Sequence, residues 1–269
     1  MSEDTQMPNG WAQLSFGATL AEGLSIQERL RQQGFGLLSA EQLYALIGEG
    51  AESCAAAMPL WNHLPAARYL KDGGRYRSRR HGSFVHNLGV LAADNALVHV
   101  PQRAHWQPLT YNALHGGMSR WFEPLADELV NLPCWQPLLT HLGELLAEIR
   151  PEIRPVKQWF IEAHQFRIDT RDGVGRPTPE GAHRDGVDFV AVILIGRKNI
   201  RGGETRVFEI DGQHGVRFTL AQPCSVLLMD DTRIIHESTP IMPLENGGDS
   251  WRDTLVLTFR ADGFLEPAL

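Results

Sequence analysis

His183 and Asp185 stand two residues apart in the stretch P-E-G-A-H-R-D-G-V-D, Pro179 to Asp188. In an extended chain the side chains of residues i and i+2 project to the same side. One segment can therefore offer an imidazole nitrogen and a carboxylate oxygen to the same metal ion. One distant histidine would complete a set of two imidazoles and one carboxylate on a single face of the ion. Such a set suits Fe(II) and leaves positions open for a co-substrate and O2.

The motif alone is weak. With 11 histidines and 32 acidic residues among 269, about one H-x-[DE] is expected by chance. His183-Arg184-Asp185 is that single instance. Its context carries the weight: it follows a glycine-containing turn and directly precedes an apolar strand, where the mouth of a barrel would need it. His236 is placed to be the third ligand, after the apolar run Cys224 to Met229 and the turn Asp230-Asp231-Thr232. His214, beside the turn Asp211-Gly212-Gln213, competes with it. Arg184 is expected to point outward, and Asp188 either orients a ligand from behind or is simply exposed.

Arg252-Asp253-Thr254 opens the run L-V-L-T-F. A guanidinium fork with a hydroxyl two residues on, both facing into a barrel, suits the far carboxylate of a co-substrate; the competing reading is an edge-strand ion pair. A second basic stretch, R-Y-R-S-R-R at Arg75 to Arg80, reads either as a solvated strand edge or as the source of an arginine that grips a substrate carboxylate.

These side chains need a frame. Residues 1 to 13 read as a loose end. Ser25 and Ser39 read as N-caps of helices over Ile26–Gln33 and Ala40–Ile47, with a third over Ala51–Met58. Leu138 to Ile149 repeats apolar residues at helical spacing and is expected to pack across a sheet. After Pro155 short strands and glycine-rich turns take over, Val156–Ile168, Asp188–Ile195, Thr205–Ile210, Gly215–Leu220, Cys224–Met229 and Thr254–Arg260, as in a sandwich or barrel. In the first of these, His164, Phe166 and Ile168 share one face, and Gln165 and Arg167 the other. The expectation is one α+β domain over 1–269, with a helical segment at 1–60 and a β-barrel core at 155–262.

Composition fits this. Hydrophobic content of 43% and charged content of 21% are ordinary for a globular chain. A net charge of −7 argues against nucleic acid or an anionic membrane as partner. Cys54, Cys134 and Cys224 are too few and too scattered for a disulfide framework. With no signal peptide and no apolar run of membrane length, the expected location is the cytoplasm. The oligomeric state stays open, a homodimer included.

P-T-P-E-G-A-H-R-D-G-V-D-F-V, then N-I-R-G-G-E-T, the distal His236 and R-D-T-L-V-L-T-F together resemble the 2-oxoglutarate/Fe(II) dioxygenases that hydroxylate free L-amino acids. G-G-R-Y-R-S-R-R and the spaced Gln107, Tyr111-Asn112, Gly116-Gly117 and Arg120 add to the likeness, which runs over about residues 60 to 260. The resemblance implies a double-stranded β-helix (jelly roll) flanked by helices. It implies iron at His183, Asp185 and His236, and 2-oxoglutarate held by Arg252 with Thr254 beside it. The implied reaction consumes O2, releases succinate and CO2 and hydroxylates an unactivated C–H. A free amino acid would also need an acceptor for its ammonium, for which Glu180 is a candidate, and a cation for its carboxylate, Arg167 or Arg77. Gln165 could contact either group. Two alternatives remain: the same chemistry on a peptide, an amino-acid derivative or a small natural product, and a cupin-like module holding a structural metal without catalysis.

Overall fold

The computed structural model describes residues 11–13, 23–70, 73–90, 93–112, 114–149, 155–210, 215–245 and 247–267. Residues 1–10 of the expected loose end lie outside these, whereas Trp11–Gln13 forms strand β1. Helix α1, Ile26–Gln33, is closed at its start by a capping box between Ser25 and Glu28 and at its end by Gly34 at φ 78°. Gly34 does more than stop the helix. It turns the chain into a short strand, β2 (Phe35–Leu38), all of whose residues are buried. Ser39 then caps α2, Ala40–Ile47, through a second box with Gln42. Helix α3 covers Ala51–Ala57 and tightens into a 3-10 turn at Met58–His63. Strands β3 (Arg77–Asn87) and β4 (Leu97–His99) follow. Helix α4, Trp135–Ala147, starts three residues earlier than the apolar spacing suggests, because Pro137 is tolerated in the first turn, where amides lack partners anyway.

The remaining strands are β5 (Gln158–Asp169), β6 (Phe189–Lys198), β7 (Ile200–Gly202), β8 (Thr205–Glu209), β9 (Gly215–Phe218), β10 (Val226–Asp230), β11 (Ile234–Ser238), β12 (Ile241–Pro243) and β13 (Trp251–Arg260). They form a seven-stranded sheet in the order β2-β10-β6-β13-β5-β3-β4, a four-stranded sheet in the order β1-β9-β8-β11, and a small β7–β12 pair. The architecture is a double-stranded β-helix with helices on its outer face. Its sheets are not confined to the chain after residue 155: β2 completes one edge of the larger sheet against β10, and β1 runs parallel to β9 at an edge of the smaller one.

Period-two alternation sorts the larger sheet into two surfaces. Ile161, Ala163, Leu255, Leu257 and Phe259 face the helices and form one core with Leu43, Trp61, Leu139, Leu142 and Leu146. The opposite surface, with His164, Phe166, Ile168, Thr254, Val256 and Thr258, lines a cavity inside the barrel. A second apolar cluster, Phe35, Val190, Leu194, Val207, Phe218, Leu227, Met229 and Ile234 among it, joins residues of both sheets. Trp61 ties the 3-10 turn to the frame by donating its indole N–H to the carbonyls of Phe166 and Thr254, at 3.1 and 3.2 Å. Cys54, Cys134 and Cys224 are unbridged. Among the described residues no helix is long and apolar enough to cross a membrane.

Candidate active site

His183 and His236 come together through the backbone. His183 N–H donates to His236 C=O and His236 N–H to His183 C=O, both at 3.0 Å. Residues in such a pair sit directly opposite and point their side chains the same way, and the two imidazoles lie 4.7 Å apart between centroids. Two residues on, Asp185 turns back toward them, its oxygens 3.9 Å from Nε2 of each histidine. The donor atoms of His183, Asp185 and His236 all lie within 4.8 Å of one another at the cavity wall. His183 Nδ1 meets the carbonyl of Gly181 at 3.0 Å, which leaves Nε2 with a lone pair for a metal. The competitor His214 lies outside the described residues.

Asp231 braces the ligand turn. Its carboxylate accepts from the N–H groups of Asp185, Gly186 and Val187 at 3.0, 2.8 and 3.1 Å. Burial, then the charge of Asp185, pushes the Asp231 carboxyl up to about 7 against those bonds. The bracing role considered for Asp188 thus falls to Asp231, while Asp188 accepts from Ala261 N–H. Arg184 points away from the ligands, over the Tyr111 ring and onto the Asp231 carbonyl.

Arg252 and Thr254 both line the cavity, one strand row apart. Arg252 is 4% exposed and its Nε has no hydrogen-bond partner. Burial, then the nearby Arg197, lowers its pKa to about 10, so it stays cationic. Asp253, between them, faces the other way and is committed to Arg167.

That pairing corrects one expectation. Arg167 lies on the helix side of β5, where Nε and a terminal nitrogen grip both oxygens of Asp253 at 2.7 and 2.6 Å and a further bond reaches Asn62. Gln165 shares that face, fully buried and away from the cavity, and neither of its amide atoms has a partner; nothing in the structure explains it. Neither residue can touch a substrate in the barrel. Arg77 does line the cavity, but one of its terminal nitrogens already donates to the carbonyls of Arg176 and Pro177 at 3.2 and 2.6 Å. It ties down the segment leading to Glu180. Glu180 reaches the site, with one oxygen 3.5 Å from His183 Nε2 and the other buried without a partner. Within the basic stretch only Arg75 is a solvated residue, paired with Asp172 at 2.9 Å. From Arg77 on, β3 is covered by β5 on one side and by backbone bonds to Pro65 and Ala67 on the other, and it sends Arg77 and Arg79 inward.

Several cavity groups had no local signal. From the 100–124 segment, Gln107 donates to Asp185 Oδ1 at 3.0 Å, and its own oxygen accepts from Arg120 at 2.9 Å and Asn112 at 3.2 Å. The two donors fix which end of the amide faces Asp185. Deeper in, His81, His105, Glu162 and His164 form a second compact group of donor atoms. Here Glu162 accepts from His81 at 3.2 Å and His105 at 2.9 Å and pairs with Arg103 at 3.2 Å. His164 Nδ1 accepts from Arg79 at 2.8 Å. The Glu162 carboxylate is thus fully committed, while His81 Nδ1 is buried without a partner. Burial alone would raise the Glu162 carboxyl, but His105 and His81 hold it well below its usual range.

Burial keeps imidazoles here neutral. It pushes His105 and His236 down to about 4 and lowers His81 and His164 as well. In the unfolded chain all four titrate near about 6.5. Below that value the unfolded state binds more protons, so stability present at neutral pH is lost on acidification. Two groups run the other way and offset part of this loss. Against burial, Asp185 and Glu180 raise His183, and the Asp231 carboxyl, up at about 7, takes its proton in the folded state before the unfolded one does. Urea unfolding of metal-free protein should therefore show stability falling between about pH 7 and 5, by up to ~1.4 kcal/mol per pH unit for each depressed imidazole. A flat profile would mean that these imidazoles take up protons while folded.

A family model described as 2OG-Fe dioxygenase matches residues 58–258. A 3(1)-hydroxy-L-isoleucine 4-dioxygenase of Pantoea ananatis (strain AJ13355) is 26% identical over 156 residues, 57% of this chain and 62% of that relative. The crystal structure of a bsmA homolog from Methylobium petroleophilum PM1 is 55% identical, with a TM-score of 0.83 over 90% of this chain and 94% of that one. IDO from Bacillus thuringiensis shares the fold at 18% identity, with a TM-score of 0.68 over 89% of this chain and 97% of that one.

Proposed function

The chain belongs to the 2OG-Fe dioxygenase family, whose members use Fe(II), 2-oxoglutarate and O2, and on that premise we propose that it hydroxylates an unactivated C–H of a free L-amino acid. The carrying observation is the convergence of His183, Asp185 and His236 on one cavity that also holds Arg252. The donors fit the metal: two imidazoles and a carboxylate match Fe(II) in type and leave one side open. In the second group the single carboxylate, Glu162, is already committed to His81, His105 and Arg103, which favours the first as the iron site.

When bound, iron and 2-oxoglutarate supply oxidation of the substrate C–H by O2, with succinate and CO2 as the other products. The protein's own residues position. His183, Asp185 and His236 hold the ion. Arg252 and Thr254 take the far carboxylate of 2-oxoglutarate, a fork and a hydroxyl on one face of β13. Glu180, with a buried oxygen in need of a donor, accepts the substrate ammonium. Apolar side chains of Phe166, Ile168, Val192 and Val256 wall off water. The Pantoea relative, named for a hydroxylated isoleucine, supports an amino acid as substrate.

Gln107 orients Asp185. Replacing it with leucine should lower iron affinity by roughly 10–100-fold, the usual effect of losing an outer partner of a metal ligand, measured by metal titration of the apo-protein. Unchanged affinity would remove it from this role.

The test of function is anaerobic addition of Fe(II) and 2-oxoglutarate, followed by a panel of free L-amino acids. A weak visible absorption band that needs both components, and 2-oxoglutarate consumption in air that one of the amino acids accelerates, are the expected results. A normal band with turnover accelerated only by peptides or amino-acid derivatives would move the substrate assignment to those.

A further inference from the structure

Beyond the groups given roles above, the cavity wall carries positive charge that no protein anion meets. Arg79, from β3, and Arg120, from the segment before α4, both line the cavity and are 5% and 4% exposed. The Arg79 guanidinium is held between the rings of Phe122 and Phe166, 3.7 and 4.5 Å from their centroids. One terminal nitrogen donates to His164, a neutral partner, and its Nε donates to nothing. Arg120 gives one N–H to the Gln107 amide oxygen, again neutral, and its Nε too lacks a partner.

A buried guanidinium without a counter-charge is costly, and two in one cavity also repel. After burial, Arg120 is the group that most lowers the pKa of Arg79, and Arg120 itself is pushed down to about 10 by burial and then by Arg77. The acids whose fields reach them are Glu162, Glu180 and, for Arg120, Asp185, which belongs to the metal-ligating group with His183 and His236. Glu162 is already paired with Arg103 and two histidines, and Glu180 faces His183. An anion entering the cavity would relieve both arginines at once.

We propose that Arg79 and Arg120 together seat a free carboxylate of the primary substrate. This rests on the dioxygenase reading and sharpens it. The seat is distinct from Arg252, which belongs to the co-substrate, and from Arg77, which is tied to backbone carbonyls. With the ammonium at Glu180, the two ends of an amino acid are fixed and its side chain is left to meet the iron. A residue inside a peptide has neither a free α-carboxylate nor a free ammonium to span the two ends and is excluded.

The experiment compares free L-amino acids with their carboxamides on the Fe(II)- and 2-oxoglutarate-loaded enzyme, in wild type, Arg79→Met and Arg120→Lys. The readouts are 2-oxoglutarate consumption and perturbation of the visible band. In wild type a free acid should be accepted and its carboxamide should be at least ~100-fold poorer in kcat/KM. Arg79→Met should raise KM for the acid by roughly 30-fold or more, with kcat changed far less, and should leave the carboxamide almost unaffected. Arg120→Lys, which keeps the charge, should retain part of the selectivity. Thermal unfolding of ligand-free Arg79→Met should be unchanged or improved, since a like-charge repulsion is gone; a merely structural arginine would give a loss. Equal use of acid and carboxamide, an equal KM rise for both, or a normal band with no response to any free acid would each overturn the proposal. Absence of the band in wild type would instead sink the dioxygenase reading beneath it.

Discussion

Asp185→Ala is expected to abolish iron binding and with it all amino-acid-dependent turnover. The carboxylate is the single anionic donor in a group of three, and the imidazoles of His183 and His236 would be left to hold a dication alone. The loss should exceed the roughly 10–100-fold that follows removal of an outer partner. Misfolding is separable from this effect. Asp185 is the like charge that, after burial, most raises the pKa of Asp231, so its removal relieves a repulsion in metal-free protein. Thermal unfolding without metal should therefore be as late in Asp185→Ala as in wild type, while the variant alone fails to give the visible band. A variant that still binds Fe(II) as wild type does would move the iron elsewhere, with the Glu162 group the first place to look.

The second large effect concerns Arg252. The guanidinium is buried, has an unmet Nε and sits beside Arg197 rather than a carboxylate, because Asp253 faces the other side of the sheet and grips Arg167. Losing one partner of a buried charge pair costs about 2–5 kcal/mol, so Arg252→Met should raise KM for 2-oxoglutarate by roughly 30-fold to several thousandfold. A 2-oxo acid without the far carboxylate provides the control. It should be a poor co-substrate for wild type and no poorer for the variant, closing most of the gap between the two acids. KM for 2-oxoglutarate within about threefold of wild type would show that the far carboxylate lies elsewhere.

Much of this site was legible along the chain, and what failed did so for identifiable reasons. The i, i+2 placement of His183 and Asp185 and the position of His236 just after a turn are local features, and the backbone pair between the two histidines turns them into geometry. The inward face of β5 is equally local: alternation placed His164, Phe166 and Ile168 together. The same alternation puts Gln165 and Arg167 on the helix side, so proposing them as substrate contacts set their charge and polarity above their position. Gln107 and Arg120 stood out only as part of the likeness and Asp231 only as part of a turn; what they touch was out of reach for a different reason. Each meets the Asp185 turn, directly or through Gln107, across tens of residues, and no spacing rule encodes such a contact. Arg79 differed again: its stretch stood out as basic, but only the cover of β5 on one side and of the chain at Pro65 on the other decides that the charge is buried. Strand β2 was missed because four apolar residues between two well-capped helices look like a connection until a distant strand is found to pair with them.

That strand bears on how the molecule is made. Phe35 to Leu38 pair with Met229 to Val226, nearly the whole chain away, and every strand of the larger sheet other than β13 lies between those two segments in sequence. During synthesis β2 leaves the ribosome early, yet its partner comes only when most of the protein is already out. Contacts of such long separation are slow to form, and an apolar edge segment waiting for its mate is a place where chains adhere to one another. The same few residues that seal the finished barrel thus define its most vulnerable interval during folding. That hazard ends only when β10 arrives.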